Sequence, residues 1–256
     1  MKFNIRDYPI VFLMYEESNK EKNYNRLLDI YPEAKLVAGV KGSDMAHKEV
    51  ARVVGDSKRV TIIDGDNYVL ENLLDFKAEI RDDINLNDKV ISFSAFNPLN
   101  GNCYGNGGIK NWPTDLLKSM RTHENSNDKN SVDFDFNTYL QFNKHLSETQ
   151  ITDSPLQAWR SGFREGIKLC MEDGKIVDNI DQINWRNYDR LWRWTHIGTD
   201  VENGLWAIYG SRLGTYMTML TEWDAKNVQW FDNYIEMWDE YKDKDPDDSA
   251  QFYGEA

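Results

Sequence analysis

The first quarter of the chain alternates short apolar runs with segments of helical spacing, and this alternation restricts the fold more than any other feature. The apolar runs are rich in β-branched residues and bounded by polar residues or proline, which is typical of buried strands. They are residues 9–15, 34–40 and 60–63. Between them, residues 23–31 and a segment capped by Ser43 carry apolar side chains at helical spacing. This order predicts parallel strands with right-handed crossovers, an α/β nucleotide-binding half-sheet.

The third predicted strand ends in Asp64-Gly65-Asp66. Two carboxylates suit a hard divalent cation, and a glycine between them lets the backbone come close to what the cation carries. Ligands of open α/β sheets bind at the carboxyl ends of strands. Because Asp-Gly-Asp is also ordinary turn chemistry, a solvated turn is the alternative interpretation. The arrangement matches the Asp-x-Asp motif of nucleotide-sugar-dependent glycosyltransferases with the GT-A fold.

Composition excludes several classes of protein. The chain of 256 residues is long enough for one good core with a small elaboration. Its net charge of −13 argues against a protein that coats nucleic acid non-specifically. Cys103 and Cys170 lack metal or disulfide spacing, which suits a reducing cytoplasm. No apolar run is long enough to span a membrane and the N-terminus does not resemble a signal peptide, so we expect no membrane partner.

Asparagine and glycine are dense in residues 97–113, which follow a fourth predicted strand at 89–96. Such a segment predicts unusual backbone conformations close to a ligand. We interpret it as a substrate loop that offers amides to sugar hydroxyls and Trp112 or Tyr104 as a stacking face. The alternative is a long hairpin whose turn contains these asparagines and glycines for structural reasons alone. Residues 121–135 are polar and without period, which predicts a mobile loop.

A strong helix start lies at Ser154-Pro155-Leu156-Gln157, with Ser154 as the cap and Gln157 completing a capping box. The predicted helix has an apolar stripe and a separate basic ridge at four-residue spacing. The stripe is Leu156, Trp159, Phe163, Ile167 and Cys170, and the ridge is Arg160, Arg164 and Lys168. A solvated face and an anion-binding face are equally good interpretations of the ridge.

Residues 183–198 interleave aromatic side chains with arginines, a pattern that suits base stacking and backbone contacts with nucleic acid. We favour the alternative, a strand with Trp192 and Trp194 inward and Arg193 outward. Residues 199–204 then form a turn between strands. The chain closes with an amphipathic helix that buries Val228, Phe231, Ile235 and Trp238.

Several stretches of the chain match one family in collinear order over about its first four-fifths, which outweighs any single motif. These stretches are 39–42 (Gly-Val-Lys-Gly) with Ala46-His47, 62–67 (Ile-Ile-Asp-Gly-Asp-Asn), 96–98 (Phe-Asn-Pro), 104–110 (Tyr-Gly-Asn-Gly-Gly-Ile-Lys), 154–155 (Ser-Pro), 158–165 (Ala-Trp-Arg-Ser-Gly-Phe-Arg-Glu) and 198–204 (Gly-Thr-Asp-Val-Glu-Asn-Gly). In them the chain resembles the TET/JBP-associated glycosyltransferases of tailed phages.

The resemblance implies a GT-A-like α/β domain at residues 1–241, with a mixed, mainly parallel central sheet and a C-terminal helical closure. Its nucleotide-sugar half would cover about 8–110 and its acceptor half about 111–241. An acidic, disordered tail would follow at 242–256.

The activity that the resemblance implies is metal-dependent sugar transfer from UDP-glucose or UDP-arabinose to a 5-hydroxymethylpyrimidine in phage DNA. The first candidate base is 5-hydroxymethylcytosine. The acceptor would be duplex DNA, and the reaction would take place in the cytoplasm of the infected bacterial host. Asp64 would contact ribose or metal, and Asp66 would ligate Mn²⁺ or Mg²⁺. Asp200 would supply a late metal ligand, with His196 as the alternative.

Further roles follow from the same resemblance. The expected donor-binding residues are Tyr15, Asp64, Asp66, Arg160 and Arg164. The expected acceptor-binding residues are Asn97, Asn100, Tyr104, Gly107, Gly108, Lys110 and Trp112. Asp200 or Glu165 would act as base on the acceptor hydroxyl, and His47 would lie by a phosphate or sugar. The alternative for His47 is an outward-facing helix histidine.

Two other functions stay open from the sequence. One is a GT-A glycosyltransferase that acts on a protein, a lipid or another sugar, including a sugar already attached to DNA, and the acidic charge supports it. The other is a non-catalytic module that binds nucleotide sugar or nucleic acid, in which Asp66→Asn removes no activity.

Overall fold

A computed structural model of the chain describes residues 1–104, 107–125, 139–172 and 175–248. It divides into two compact units. The first, which we call the sheet unit, is Met1–Pro98, Cys103–Thr122 and Phe136–Gln150. The second, the helical unit, is Leu99–Asn102, His123–Asp135 and Ile151–Ala256. The predicted division of one domain into halves at about residue 110 stays a prediction, as does its end at 241.

Twelve strands lie within the described residues, most of them in the sheet unit. They are β1 Lys2–Asn4, β2 Ile10–Met14, β3 Lys35–Ala38, β4 Arg59–Asp64, β5 Asn67–Val69, β6 Lys77–Glu79, β7 Val90–Phe96, β8 Cys103–Tyr104, β9 Ile109–Pro113, β10 Tyr139–Thr149, β11 Met171–Glu172 and β12 Lys175–Ile176. The same part of the chain contains seven α-helices. They are α1 Lys20–Ile30, α2 Ser43–Val54, α3 Thr114–Lys118, α4 Pro155–Lys168, α5 Trp185–His196, α6 Gly204–Leu220 and α7 Phe231–Tyr241.

The central sheet is mixed, with parallel and antiparallel strand pairs. Its described strands follow the order β3-β2-β4-β9-β7-β10-β5, and β8 pairs with β7 outside that path. Strands β3, β2, β4, β7 and β10 run in one direction, whereas β9, β5 and β8 run in the other. The predicted α/β class, with its mixed sheet and C-terminal helices, is therefore confirmed. In the register of β2 with β4, Leu13 lies opposite Asp64, so both strands end at the same edge.

Local sequence does not predict strands β9 and β10 of this sheet, nor the shorter strands β5 and β8. Strand β9 is the end of the asparagine- and glycine-rich segment, and it enters the sheet between β4 and β7. The hairpin interpretation of that segment is thus correct for β7 and β9, which are antiparallel. Strand β10 pairs with β7 through register shifts between Phe142 and His145 and between His145 and Ser147. These irregularities interrupt the two-residue alternation by which a strand is recognised.

Helix α4 follows the sequence prediction closely. The Ser154 side chain accepts a hydrogen bond from the Gln157 backbone N–H, and Pro155 occupies the first turn. Trp159, Phe163 and Ile167 are buried in the core of the helical unit, as the apolar stripe predicts. That core also takes side chains from α6 and α7, so three helices enclose it.

Helices α4 and α6 approach each other through glycines. A Cβ added to Gly162 or Gly166 would meet a backbone oxygen of α6, that of Ala207 or Ser211, within 3.0 Å. A Cβ added to Gly210 or Gly214 would meet a backbone oxygen of α4 in the same way. The two G-x-x-x-G segments therefore let the helix backbones pack at a distance that side chains would prevent.

The structure corrects several sequence predictions of local structure. Residues 183–198 do not form a strand, because the Asn184 side chain accepts hydrogen bonds from the N–H groups of Arg186 and Asn187 and starts helix α5. The predicted turn at residues 199–204 consequently lies between two helices, α5 and α6, and its last residue, Gly204, begins α6. The N-cap of α2 is Gly42, with φ 88°, and Ser43 is the first helical residue, so the predicted cap position is wrong by one residue. At the C-terminal end, Ile235 is exposed and Tyr234 is buried in its place.

The two segments predicted to be disordered lie partly within the described residues. In the predicted mobile loop 121–135, His123–Asn125 forms a single 3-10 turn, and residues 126–135 lie outside the described part. Residues 242–248 of the predicted tail continue as turns, with the N–H of Lys244 donating to the carbonyl of Tyr241 at 2.9 Å. Residues 249–256 lie outside the described part. None of the described helices is long and apolar enough to cross a membrane.

Candidate functional site

The carboxyl ends of β2, β3 and β4 form one edge of the sheet unit. These parallel strands end at Met14, Ala38 and Asp64. The loops that follow are tied together, because the N–H of Gly39 donates to the carbonyl of Met14 at 3.1 Å. Open α/β sheets bind their ligands at such an edge. We call this edge, with the side chains that surround it, the β4-edge site.

Hydrogen bonds from three other segments fix the Asp-Gly-Asp turn of this site. The N–H of Asp64 donates to the carbonyl of Gly108 at 3.0 Å, and the carbonyl of Asp66 accepts from the N–H of Gln150 at 2.7 Å. The buried side chain of Asn23 donates through Nδ2 to the carbonyl of Gly65 at 3.0 Å. Both aspartate side chains are half-buried. A turn held on every side in this way presents its carboxylates in a fixed position, unlike a solvated turn.

Asn67 orients the carboxylate of Asp66. Its Nδ2 donates to Asp66 Oδ1 at 2.6 Å, and its Oδ1 accepts from Ser147 Oγ at 2.7 Å. A Cβ on Gly108 would meet the Asn67 amide within 3.0 Å, so a larger residue there would displace Asn67. Asn67 therefore connects Asp66, which the sequence analysis assigns to donor binding, with Gly108, which it assigns to acceptor binding. The supporting role of Asn67 and Ser147 was not predictable from the sequence, because Ser147 lies on the unpredicted strand β10.

Glu17 is a further side chain at the β4-edge site that sequence reasoning missed. Its Oε2 accepts from the N–H of Tyr15 at 2.8 Å. The same oxygen lies 2.6 Å from the position that a Cβ on Gly65 would occupy, so the carboxylate rests against the middle of Asp-Gly-Asp. Tyr15, a predicted donor-binding residue, also accepts at its carbonyl from Lys20 Nζ at 2.5 Å. The one available signal was the position of Glu17 in the loop directly after the first parallel strand.

The donor atoms at the β4-edge site fit a hard divalent cation. Asp64 and Asp66 offer carboxylate oxygens, with Glu17 beside them, and oxygen ligands are those that Mn²⁺ and Mg²⁺ prefer. Within the described residues, no group of three or more His, Cys, Asp or Glu side chains is arranged to hold a metal ion. Mg²⁺ is usually held by one or two carboxylates, with water and phosphate oxygens as its other ligands. Asp200 and His196 belong to the helical unit, and their part in such a site stays a prediction.

His47 lies inside the sheet unit next to two predicted acceptor residues. Its side chain is 5% exposed, and its ring contacts that of Trp112 edge-on, with the ring centres 5.7 Å apart. Its Nδ1 donates a hydrogen bond to the Ser43 carbonyl at 2.8 Å. Burial, with a smaller contribution from the Lys110 ammonium, lowers the pKa of His47 to about 4, while the hydrogen bond to Ser43 and the charge of Asp44 act in the opposite direction. The outward-facing alternative is wrong for His47. At neutral pH the imidazole is uncharged, so it suits a hydrogen-bonding role better than charge pairing with a phosphate.

The buried state of His47 predicts a pH-dependent stability. Below its ordinary pKa of 6.5 the unfolded chain takes up a proton that folded His47 resists down to about pH 4. Stability is therefore lost as the pH falls through this window, by about 2 kcal/mol at pH 5 relative to pH 7. We expect urea unfolding at these two pH values to show this extra difference in wild type and not in His47→Asn. Equal pH dependence of both proteins would contradict the assignment.

Trp112 does not offer a stacking face in this structure. Its side chain is 1% exposed, because β9 is enclosed by β4 and β7. The proposed contact of Trp112 with a sugar or base is therefore corrected to a core contact with His47. Lys110 donates from Nζ to the carbonyl of Gly107 at 2.8 Å. The side chain of Tyr104, the other predicted stacking residue, lies outside the described part.

The predicted basic ridge of α4 makes contacts within the helical unit. The guanidinium of Arg160 lies 4.7 Å from the ring centre of Phe231, a cation–π geometry. Lys168 Nζ pairs with the carboxylate of Glu165 at 2.9 Å, so the candidate base is held by a neighbouring ammonium. Arg164 is half-buried on the same helix. Anion binding by Arg160 and Arg164 stays a prediction.

The remaining predicted residues of the helical unit differ in burial. Asp200 is exposed. His196 is also exposed, and its Nδ1 donates to the carbonyl of Trp192 at 2.9 Å. Asn100 is buried, and its Oδ1 accepts from the N–H of Asn102 at 3.1 Å. The side-chain amide nitrogens of Asn100 and Asn102 find no hydrogen-bond partner among the described residues, which leaves donors for a ligand or water. Asn97 is buried in the sheet unit.

Comparisons with known proteins give little further information. No protein-family model matches the sequence, and no curated protein matches it. Among solved structures, the chain is similar to the crystal structure of S. aureus TarS 1–349, with a TM-score of 0.31 and 10% sequence identity over 91% of each chain. A similarity of this size carries no argument about family or activity. The function must therefore be argued from the site.

Proposed function

We propose that this protein is a metal-dependent glycosyltransferase that moves a sugar from a nucleotide sugar to the hydroxymethyl group of a 5-hydroxymethylpyrimidine in phage DNA. The proposed donors are UDP-glucose and UDP-arabinose, and the proposed base is 5-hydroxymethylcytosine. The reaction would take place in the cytoplasm of the infected bacterial host. The proposal joins the β4-edge site to the sequence resemblance, which supplies the acceptor.

One observation carries the reaction class. The half-buried Asp64 and Asp66 lie at the carboxyl end of β4, and hydrogen bonds from Gln150, Asn23 and Asn67 hold their turn. Two carboxylates that an ordered turn presents at the ligand-binding edge of a sheet offer the oxygen ligands that a hard divalent cation prefers. A cation bound there would neutralise charge that develops on a diphosphate leaving group.

The residues around the carboxylates take distinct parts in this proposal. Asp66 and Asp64 would hold the cation, and Asn67 would keep the Asp66 carboxylate aimed at it. The loop of Tyr15 and Glu17 would contact the nucleoside, because it follows the neighbouring parallel strand at the same edge. For the acceptor hydroxyl, the exposed Asp200 and the Lys168-paired Glu165 remain the proposed bases.

The proposal is tested by mass spectrometry of intact nucleosides. Duplex DNA that contains 5-hydroxymethylcytosine is incubated with the protein, Mn²⁺ and single UDP-sugars, and the DNA is then digested to nucleosides. We expect a hexose or pentose mass increase on the modified nucleoside, absent in EDTA and absent with Asp66→Asn. DNA that contains unmodified cytosine is the matched acceptor control, because it lacks the accepting hydroxyl.

Two other results would change the proposal in different ways. Metal-dependent release of UDP without a mass increase on DNA would retain the glycosyltransferase and contradict the DNA acceptor. If neither UDP nor a modified nucleoside were formed with any donor of the panel, the catalytic function would be contradicted and the binding module would replace it.

A further inference from the structure

Helix α5 exposes large aromatic side chains that the core does not use. Trp185 is 74% exposed, Tyr188 50% and Trp192 47%. The buried side chains of the same helix include Leu191 and Trp194, so the helix does not need the three exposed rings to pack against the rest of the helical unit. A large exposed aromatic surface in a folded protein marks an interaction site. These three side chains therefore require an explanation other than stability.

The exposed aromatics lie on one side of the helix. At 3.6 residues per turn, positions 185, 188 and 192 fall within one narrow sector of the helix surface. His196 continues this row, and its ring stacks on Trp192 with ring centres 5.0 Å apart and planes 12° from parallel. The guanidinium of Arg186 lies 5.4 Å from the ring centre of Trp185. We call this row, Trp185, Tyr188, Trp192 and His196, the α5 aromatic face.

The charge of α5 is opposite to that of the chain. The helix carries three arginines and one aspartate, whereas the whole chain has a net charge of −13. Arg193 pairs with Asp189 at 3.1 Å, and Arg186 is exposed at the side of the aromatic face. Arginine beside an exposed aromatic ring suits a ligand that combines planar rings with negative charge.

We propose that the α5 aromatic face binds a nucleic-acid strand with unpaired bases, which stack on Trp185, Tyr188 and Trp192 while Arg186 contacts the phosphates. Aromatic platforms beside basic side chains are the general means of holding single strands without reading their sequence. Trp185 and Trp192 are about 10 Å apart along the helix axis, from the rise per residue. A strand that advances about 3.4 Å per nucleotide covers this distance in three steps. The proposal rests on the proposed function only for the source of the strand, an unpaired segment of the acceptor DNA.

Fluorescence anisotropy of a labelled 20-nucleotide thymidylate strand tests the proposal, with the full chain and with neither metal nor nucleotide sugar present. We expect saturable binding to wild type, and binding at least tenfold weaker to the double variant Trp185→Ala/Trp192→Ala. Trp230→Ala is the matched control, because it removes a tryptophan that is 40% exposed outside α5, and we expect its affinity within twofold of wild type. Circular dichroism of each variant verifies that the helices remain.

The charge and base contributions are separated by two further measurements. Arg186→Gln should weaken binding and flatten its dependence on salt, since a phosphate contact releases counterions. Heparin, which has the charge without the bases, should compete poorly with the thymidylate strand. Equal competition by heparin, or unchanged strand affinity in the double tryptophan variant, would overturn the proposal. The proposal would also be overturned if sedimentation showed that the double variant differs from wild type only in no longer forming a dimer.

Failure of this proposal can be told apart from failure of the proposed function. If the double variant transfers sugar as wild type does and binds the strand as tightly, the α5 proposal alone is overturned. If wild type binds the strand through α5 and transfers no sugar in the mass-spectrometric assay, the proposed function alone is overturned.

Discussion

Gly162→Ala is expected to lower the free energy of unfolding by about 3 kcal/mol, although glycine to alanine in a helix normally raises it by about 1 kcal/mol. The sign reverses because the added methyl group would meet the Ala207 carbonyl oxygen and the Ser211 backbone nitrogen of α6. Neither atom belongs to a flexible side chain that can turn away. The two helices must separate instead.

Separation of α4 and α6 would affect the whole helical unit. Trp159 and Phe163 of α4 pack against Tyr209 and Leu213 of α6 in one buried cluster. A shift of the helices by a methyl diameter loosens these contacts together, and closely packed interiors relax only partly. We therefore expect Gly162→Ala/Gly210→Ala to abolish a stable helical unit, since Gly210 makes the equivalent approach to Trp159 from the other side.

Urea unfolding followed by tryptophan fluorescence measures this effect. Ser161→Ala is the control, because Ser161 is the half-exposed neighbour of Gly162 on the same helix and its change leaves the helix contact intact. We expect this control to lie within about 0.5 kcal/mol of wild type. A Gly162→Ala protein that is as stable as the control would contradict the close packing of α4 and α6.

The sequence predicts best what neighbouring residues determine. Strand β2 is a continuous apolar run, β4 is rich in β-branched residues, and the start of α4 is a local capping motif, so each is recognisable without tertiary information. Helix α5 was misread because tryptophan and tyrosine also favour strands, while its cap, Asn184, is a common loop residue. The G-x-x-x-G spacing was visible in both α4 and α6, but its meaning depends on the partner helix.

The candidate site divides in the same way. Asp64, Gly65 and Asp66 could be identified because their position after a buried strand is a local property. The side chains that support them come from distant segments: Glu17 reaches Gly65 from the loop after β2, and Ser147 reaches Asn67 from β10. Pairings over such separations are set by the sheet order. No spacing in a single sequence encodes them.

Asp66→Asn is expected to reduce nucleotide-sugar turnover at least about a thousandfold, or about 4 kcal/mol of transition-state stabilisation. The substitution keeps the size of the side chain and an oxygen that can accept from Asn67 Nδ2, so the turn should stay in place. What it removes is the negative charge, on which a hard cation depends for its affinity. Loss of activity with retained stability would thus assign the effect to the charge of Asp66.

Release of UDP at saturating Mn²⁺ gives the rate for this comparison, and titration of Mn²⁺ in the presence of UDP gives cation affinity independently of turnover. Asp56→Asn serves as the control, since Asp56 is an exposed aspartate of the sheet unit in the turn after α2. We expect Asp56→Asn to match wild type in rate, cation affinity and unfolding.

If Asp66→Asn bound Mn²⁺ with wild-type affinity while losing turnover, Asp66 would act on the substrate and not through a cation. If it kept both, the β4-edge site would not be the catalytic centre, because a cation site without this carboxylate would lack the charge that the chemistry needs.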